Sequence, residues 1–486
     1  MTERGVTWLR THRVAVSLFL LGLMLLYTLL RGVYRPENRD DAFSLSFLYN
    51  FLNRGIEDDL SFGNAFRSSG QNGVALFGKI QAFIYGPILN IVGWSRDAAH
   101  LISTVVMALT AIAWGAAIGR ATGRTSVAAI SAGLLLLVEP GFAAANQARP
   151  DALTLLFVAL SILSLAYRRW VLAGVLALAA VEIHPMGVAA LLHVIAWHGI
   201  AMVRARERRK EIALAAMKSA FGMGLGAIAY ALLHWQRLPE LPAVLFSNSG
   251  GSVGGFAFSY FFETQYLRHL PELVIFVGAA ALAIRLRLLQ NERLFAVMAV
   301  ASVALLLLIR RENFHYMLFV YPVLIYLLVL VADRLRRVAL PLLVFVALLT
   351  PQYAFAYIQN RDYDLNTYLS AIAVAVPDDA LPVIGPPNAW FAMYEREFYS
   401  LQSGSHALIA RDLQAFYIIS NPYPDAENDR RVARELVSGY SCVQLSTTPV
   451  FETLMTVERC VHSGAAKPQE PLTPIGSRDV AHVLPS

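Results

Sequence analysis

The sequence predicts an all-α polytopic membrane protein that carries a small α/β domain at its C-terminal end. Hydrophobic residues make up 57% of the 486 positions and charged residues only 15%, whereas a soluble domain carries about 25% charged residues. Apolar runs recur up to residue 356, several of them shorter than the roughly 20 residues of a full span, and the composition turns polar after it. This composition excludes a soluble enzyme, a disordered chain and a disulfide-dense secreted scaffold.

The apolar run from Val14 to Val33 opens the membrane part. It follows three arginines and is longer than the apolar core of a cleaved signal peptide, about 7–15 residues, so we interpret it as a retained helix. Ten more helices are predicted at residues 98–118, 126–141, 152–167, 171–184, 186–203, 213–234, 270–286, 294–310, 315–332 and 338–356. The prediction is therefore about 11 transmembrane helices in a domain of residues 1–356, and it leaves open that two of them are broken or re-entrant.

The distribution of Lys and Arg orients these helices. If the N-terminus and every second loop face the cytoplasm, those loops are about four-fold denser in Lys and Arg than the opposite loops, as the positive-inside rule requires. This predicts a cytoplasmic N-terminus and an extracytoplasmic C-terminal domain. The loops then account for the net charge of +6, and no nucleic-acid partner is expected.

The first outer loop, residues 35–97, is too long for a hairpin connection. It contains amphipathic segments at Phe43–Phe51 and Val74–Ile91. Such segments either lie on a membrane surface or pack against the outer face of the protein itself, and the sequence leaves both readings open.

Residues 357–462 predict a small extracytoplasmic α/β domain. One helix is predicted at Asp425–Val437, with strands at Leu381–Ile384, Phe416–Ser420, Tyr440–Leu445 and Val450–Val461. The proline-rich tail, residues 463–486, is predicted to be disordered.

The two cysteines of the chain, Cys442 and Cys460, both fall near the ends of the last predicted strand pair. An oxidising compartment favours a disulfide between them. The alternative is two buried thiols. No cysteine or histidine spacing typical of a zinc site occurs in the sequence.

An acidic pair, Asp40 and Asp41, lies a few residues past the first predicted helix, in the first outer loop. A carboxylate near a membrane surface can serve as a general base towards a hydroxyl group. The alternative is a solvated acidic pair that caps the next helix.

Arg149 and Asp151 flank Pro150 at the outer end of the third helix. Pro150 suits the first turn of the fourth helix, and Asp151 would stabilise that helix through its dipole. Arg149 can pair with Asp151 or with the acidic pair, and an arginine at this depth can also hold a substrate phosphate.

Two further polar groups lie at the predicted outer ends of helices. His184 follows the fifth helix, and the ninth is followed by Arg310, Arg311, His315 and Tyr316. Ionisable groups at membrane depth are functional candidates by default. The second group suits a phosphate site, and its alternative is a ring of salt bridges with Glu312.

Four motifs, in order and on one side of the membrane, resemble those of the GT-C glycosyltransferases. These multi-helix enzymes take a sugar from a polyprenyl-phosphate donor outside the cytoplasm. The motifs are Asp40-Asp41, Ala148-Arg149-Pro150-Asp151, His184-Pro185-Met186-Gly187 and Arg311-Glu312-Asn313-Phe314-His315-Tyr316. The resemblance covers roughly residues 10–360 and is strongest to the protein mannosyltransferase and aminoarabinose-transferase-like branch, which is glycosyltransferase family 39-like. The chain departs from it at Asp41, where Glu is commoner, and at Asn313.

The resemblance implies a role for each candidate residue. Asp40 would be the catalytic base, with Asp41 as its helper. The donor phosphate would be held by Arg310, Arg311, His315 and Arg149, and the substrate contacted by Asp151, His184 and Tyr316. Inversion at the anomeric carbon is expected. No cofactor and no metal ligand are required, although the chemistry is compatible with a divalent metal.

The implied function is the transfer of a single hexose or pentose to an acceptor hydroxyl. The implied partners are a polyprenyl-phosphate-linked sugar, an acceptor glycan, lipid or protein, and membrane lipid. Richness in Ala, Arg and Leu suggests a bacterial inner-membrane protein. The alternatives are a transporter or flippase of lipid-linked glycans, which usually shows internal repeats, and a polymer ligase, which the same residues could serve. The sugar and the acceptor stay open.

Overall fold

The computed structural model describes Gly22 and residues 39–57, 76–241, 270–288, 292–308, 314–360, 365–401, 413–420, 427–450 and 453–463. These residues fall into two compact units, one ending at residue 360 and one beginning at residue 365.

Helices make up the first unit. They are α1 (Arg39–Tyr49), α2 (Lys79–Val92), α3 (Arg96–Thr122), α4 (Thr125–Leu137), α5 (Glu139–Ala145), α6 (Asp151–Ala166), α7 (Trp170–Ile183), α8 (Val188–Arg204), α9 (Arg209–Leu233), α10 (Leu270–Arg285), α11 (Arg293–Leu308), α12 (Tyr321–Arg334) and α13 (Leu340–Asn360). A π-helical turn, Asn50–Arg54, continues α1, and 3₁₀ turns precede α8, α9 and α12.

Three helical stretches among the described residues are long and apolar enough to cross a membrane. They are α3, residues 185–204 and residues 206–233, and the bent pair α4–α5 would make a fourth. A helix is present at each of the ten positions predicted between residues 98 and 356, whereas the predicted helix Val14–Val33 lies outside the described residues. The count of about 11 spans therefore stays a prediction.

The helix predicted at residues 126–141 is broken, because the chain bends there. Helices α4 and α5 meet at 69°. Pro140 stands in the first turn of α5, where its missing N–H costs nothing, and it cannot extend a helix from α4. A Cβ on Gly141 would lie 1.8 Å from the backbone oxygen of Leu135, so only glycine permits this bend.

Helices α7 and α9 pack closely through glycines. A Cβ on Gly174 would lie 2.2 Å from Ser219 O, and one on Gly222 would lie 2.0 Å from Val171 O. Small residues at such a crossing allow two backbones to approach each other, as in membrane helix pairs. The rest of α9 exposes large apolar side chains such as Met217, Phe221 and Leu232, which suits contact with lipid.

The second unit contains a five-stranded sheet in the order β2–β1–β3–β5–β4. The strands are β1 (Val383–Gly385), β2 (Phe398–Ser400), β3 (Ala415–Ile419), β4 (Tyr440–Val450) and β5 (Thr453–His462). Strand β1 runs parallel to β2 and β3, whereas β3, β5 and β4 are antiparallel. The α-helices in the described part of this unit are α14 (Leu365–Ala375), α15 (Trp390–Met393) and α16 (Glu427–Leu436).

Two strands of this unit, β2 and β4, differ from the prediction. Strand β2 was not predicted, because a strand of three residues is too short to show alternation. Strand β4 runs five residues beyond the predicted Leu445, with a register shift between Gln444 and Ser446 that interrupts the polar–apolar pattern. Cys442 stands opposite Cys460 in the β4–β5 pair, and a disulfide joins them. The tail predicted to be disordered lies outside the described residues from position 464 onward.

Candidate functional site

The two acidic residues at the start of α1 occupy different environments. Asp41 is fully buried. Its Oδ1 accepts a hydrogen bond from the backbone N–H of Ala148 at 2.7 Å, and its Oδ2 lies 2.7 Å from Nε2 of His100. Asp40 keeps 48% of its side chain exposed and forms an ion pair with Arg149. Asp41 is therefore bound into the protein, and Asp40 can be reached from outside it.

Arg149 links the acidic pair to the start of α6. Its Nε donates to Asp151 Oδ2 at 2.7 Å, and its Nη1 pairs with Asp40. Burial would lower the pKa of Arg149, but the carboxylates of Asp151 and Asp40 outweigh it and raise that pKa. Arg149 is thus a permanent cation of fixed orientation. Of the pairings predicted for it, those with Asp151 and Asp40 are formed, and none with Asp41 is found among the described residues.

The loop between α5 and α6 is held from both sides. Thr104 Oγ1 donates to Ala145 O at 2.8 Å, and Gln81 Nε2 donates to Ala148 O at 3.2 Å. Asp151 begins α6 directly after Pro150, as expected from the favoured placement of proline and acidic residues in a first helical turn. These contacts place Arg149 beside Asp40.

His184 and the block after α11 complete the arrangement. The rings of His184 and Tyr316 lie 5.9 Å apart, and His184 Nδ1 accepts a hydrogen bond from Met186 N at 3.2 Å. Both His184 and the buried His315 act electrostatically on Asp151, and Tyr316 acts on Arg149. Residues from four separate parts of the sequence thus share one site. Arg310 and Arg311 lie outside the described residues.

One oxygen of this site is unusual. Asp151 Oδ1 is buried and has no hydrogen-bond partner within the described ranges. A buried carboxylate oxygen is normally hydrogen-bonded, so this atom suits a hydroxyl group of a bound substrate.

A second buried polar cluster adjoins the site and was not predicted from the sequence. Glu182 accepts hydrogen bonds from the backbone N–H groups of Lys79 and Ile80, at 2.8 and 3.0 Å, and lies 3.0 Å from Nε2 of His234. Lys79 Nζ pairs with Glu57 at 2.5 Å. Glu57 is therefore paired with a buried lysine.

The two clusters are joined through helix α2. Lys79 and Gln81 are both buried in its first turn, and Gln81 contacts the loop that carries Arg149. A signal for Lys79 existed in the sequence, because a lysine within an apolar segment is costly unless it is paired or functional.

Beside the motif resemblance, the chain has a likeness of fold to a solved structure. The crystal structure of ArnT from Cupriavidus metallidurans bound to undecaprenyl phosphate is similar to this chain with a TM-score of 0.58. The similarity covers 95% of this chain and 99% of ArnT at 14% sequence identity, so it is a likeness of fold. The sequence matches no protein-family model and no curated protein.

Proposed function

We propose that this chain is a membrane glycosyltransferase that moves a single sugar from a polyprenyl-phosphate donor to an acceptor hydroxyl group. One observation carries the proposal: Asp40 is a half-exposed carboxylate oriented by a buried arginine, in a site that brings together motifs from four parts of the chain. The ArnT structure, which has the same fold, is bound to undecaprenyl phosphate. A lipid phosphate is therefore the ligand class that this fold supports best.

The proposed chemistry divides between a base and cations. Asp40 takes the proton of the acceptor hydroxyl, whose oxygen attacks the anomeric carbon while the bond from that carbon to the phosphate oxygen breaks. The configuration inverts, and the polyprenyl phosphate leaves with the negative charge. Positive groups aimed at that developing charge lower the barrier. We assign this role to Arg310, Arg311, His315 and Arg149.

The other residues of the site position the base or contact the sugar. Asp41 positions Asp40 and α1 through its bonds to His100 and Ala148. Asp151, His184 and Tyr316 would contact the sugar, and Asp151 Oδ1 is suited to accept from a sugar hydroxyl. No cofactor is required in this scheme. The proposal places the site on the extracytoplasmic side of a bacterial inner membrane, with a glycan, a lipid or a protein as acceptor.

Binding of the donor lipid is the first test. Purified protein is examined by native mass spectrometry with polyprenyl monophosphate and with the uncharged polyprenol. We expect the phosphate to be retained selectively and the selectivity to fall in Arg310→Ala/Arg311→Ala. Equal retention of both lipids would contradict a phosphate site and would favour a transporter of lipid-linked glycans.

Turnover is the second test. The protein is incubated with a panel of polyprenyl-phosphate sugars, and the release of polyprenyl phosphate is measured with and without a membrane lipid extract as acceptor. Sugar-dependent release supports the transferase. Loss of a whole oligosaccharide from a pyrophosphate-linked donor, with none from monosaccharide donors, would point to a polymer ligase instead.

A further inference from the structure

Another polar site lies at the C-terminal end of α3, whereas the Asp40 site lies near the N-terminal end of that helix. It is an open cavity of about 800 Å³, which we call the arginine basin. Its walls are the C-terminal ends of α3 and α8 and the N-terminal ends of α4, α7, α9 and α11. Arg96 and Arg120 stand at opposite ends of α3, a helix of 27 residues that is about 40 Å long at 1.5 Å per residue. The basin is therefore separate from the site that holds Asp40.

Arginines dominate the charges that line the basin. Among the described residues that line it, six are arginines and two are glutamates, and the arginines are Arg120, Arg124, Arg168, Arg204, Arg208 and Arg293. Both glutamates are already paired: Glu292 with Arg124 at 2.9 Å, and Glu211 with Arg208 at 2.6 Å. The lining thus keeps an excess of positive charge.

The positive charge of Arg293 is fixed in position by contacts with Trp197. Its guanidinium lies 4.8 Å from the ring centroid of Trp197 and donates to Trp197 O at 3.4 Å. The charges that act on it come from Arg204 and Arg168 and repel it. Arg293 also begins α11, where the helix dipole disfavours a cation. The two arginines and the helix dipole therefore oppose positive charge at this position, and the contacts with Trp197 hold it there.

Arg168 stands at the rim of the basin in an uncommon backbone conformation. It follows α6 with φ of 59°, in the left-handed region where glycine is usual after a helix. No carboxylate pairs with Arg168 among the residues that the structure describes. The same backbone conformation occurs at Arg287 and Arg336, which follow α10 and α12 and do not line the basin.

We propose that the arginine basin binds a phosphate-bearing anion, which is either the headgroup of an anionic phospholipid or a soluble phosphorylated metabolite. Arginine matches phosphate oxygens with paired N–H donors, and stacking on an aromatic ring orients its guanidinium. An arginine-rich end of a helical membrane protein faces the cytoplasm by the positive-inside rule, so the anion comes from that side. This inference does not depend on the proposed sugar transfer.

Binding to matched variants tests the proposal. Arg168→Gln/Arg293→Gln removes two charges from the basin, and Arg287→Gln/Arg336→Gln removes two charges from other helix ends. Each protein is examined by native mass spectrometry with cardiolipin, phosphatidylethanolamine, inorganic pyrophosphate and ATP. Intrinsic fluorescence reports on the same titrations, because Trp170 and Trp197 line the basin, and Trp197→Phe assigns that signal.

We expect the wild type and the control variant to bind a phosphate probe alike, and the basin variant to bind it at least about tenfold more weakly. Binding of cardiolipin without pyrophosphate or ATP identifies a lipid headgroup, and the reverse identifies a soluble phosphate. The thermal unfolding of all variants is compared to show that they are folded. Equal losses in both variants, or no phosphate binding by the wild type, would overturn the proposal.

Discussion

The buried carboxylate of Asp41 accepts a hydrogen bond from the backbone N–H of Ala148, a residue 107 positions further along the chain. This bond, with the contact of Asp41 to His100, attaches the start of α1 to α3 and to the loop that carries Arg149. Two adjacent acidic residues thereby acquire separate tasks. Asp41 builds the site, and Asp40 remains open to a substrate.

Substitution of Asp40 tests the catalytic base. We expect Asp40→Asn to reduce sugar transfer by about 10²–10⁴-fold, the usual contribution of a positioned general base, with little change in thermal stability. The measurement is the rate of polyprenyl phosphate release from the active donor. Asp97→Asn, which removes an exposed carboxylate paired with Arg96 at the start of α3, is the control and should keep its rate. Undiminished turnover in Asp40→Asn would rule out this base.

Substitution of Asp41 should act on stability first. Asp41→Ala leaves the buried N–H of Ala148 without its acceptor and His100 without its partner, at a cost of about 1–3 kcal/mol for each group left unsatisfied. We expect a lower melting temperature in detergent, measured by the fluorescence of the unfolding protein. Asp97→Ala serves as the exposed control. A melting temperature equal to that of the wild type would show that the Asp41 contacts carry no stability.

The second unit should lose stability in acid through Asp379. Burial raises the pKa of this carboxyl, but hydrogen bonds from Tyr417 at 2.6 Å, from Leu381 N and from Arg396 outweigh it, and the net pKa is lowered. A group whose pKa is lower in the folded state stabilises the protein above its unfolded pKa of about 4. That contribution is lost as the pH falls through the lower folded value.

Hydrogen exchange of the full-length protein checks this dependence. Peptides that cover β1 and β3 should lose protection below about pH 4, after correction for the intrinsic exchange rate, more steeply in the wild type than in Asp379→Asn. The variant should already exchange faster at neutral pH. Identical pH profiles for the two proteins would show that Asp379 does not contribute to the pH dependence of stability.

The disulfide should stabilise the β4–β5 pair. Cys442 and Cys460 are 18 residues apart, and a loop of this length contributes roughly 3 kcal/mol in the chain-entropy account. We expect a reducing agent to speed hydrogen exchange in β4 and β5 of the wild type. Cys442→Ser/Cys460→Ser should show the fast exchange with or without the reductant. A wild type that does not respond, although its thiols are shown to be reduced, would contradict the prediction.

Much of the candidate site was predictable because its residues stand at helix ends. Asp151 after Pro150, and His184 before Pro185, are visible as polar groups at the boundaries of apolar runs. The different roles of Asp40 and Asp41 could not be predicted, since they depend on which carboxylate faces His100 and Ala148. Lys79 and Glu182 were missed for the same reason: 103 positions separate them.

The sequence by itself determined the predominantly helical, apolar class, the places of the ten helices predicted between residues 98 and 356, most of the strands and the closeness of the two cysteines. These features rest on local patterns, because an apolar run or an alternation is repeated every few residues. Only the tertiary structure decided the pairing of Arg149 with Asp40, the burial of Lys79 and the gathering of arginines at the far helix ends. Each of these depends on contacts between distant segments, which no local pattern encodes.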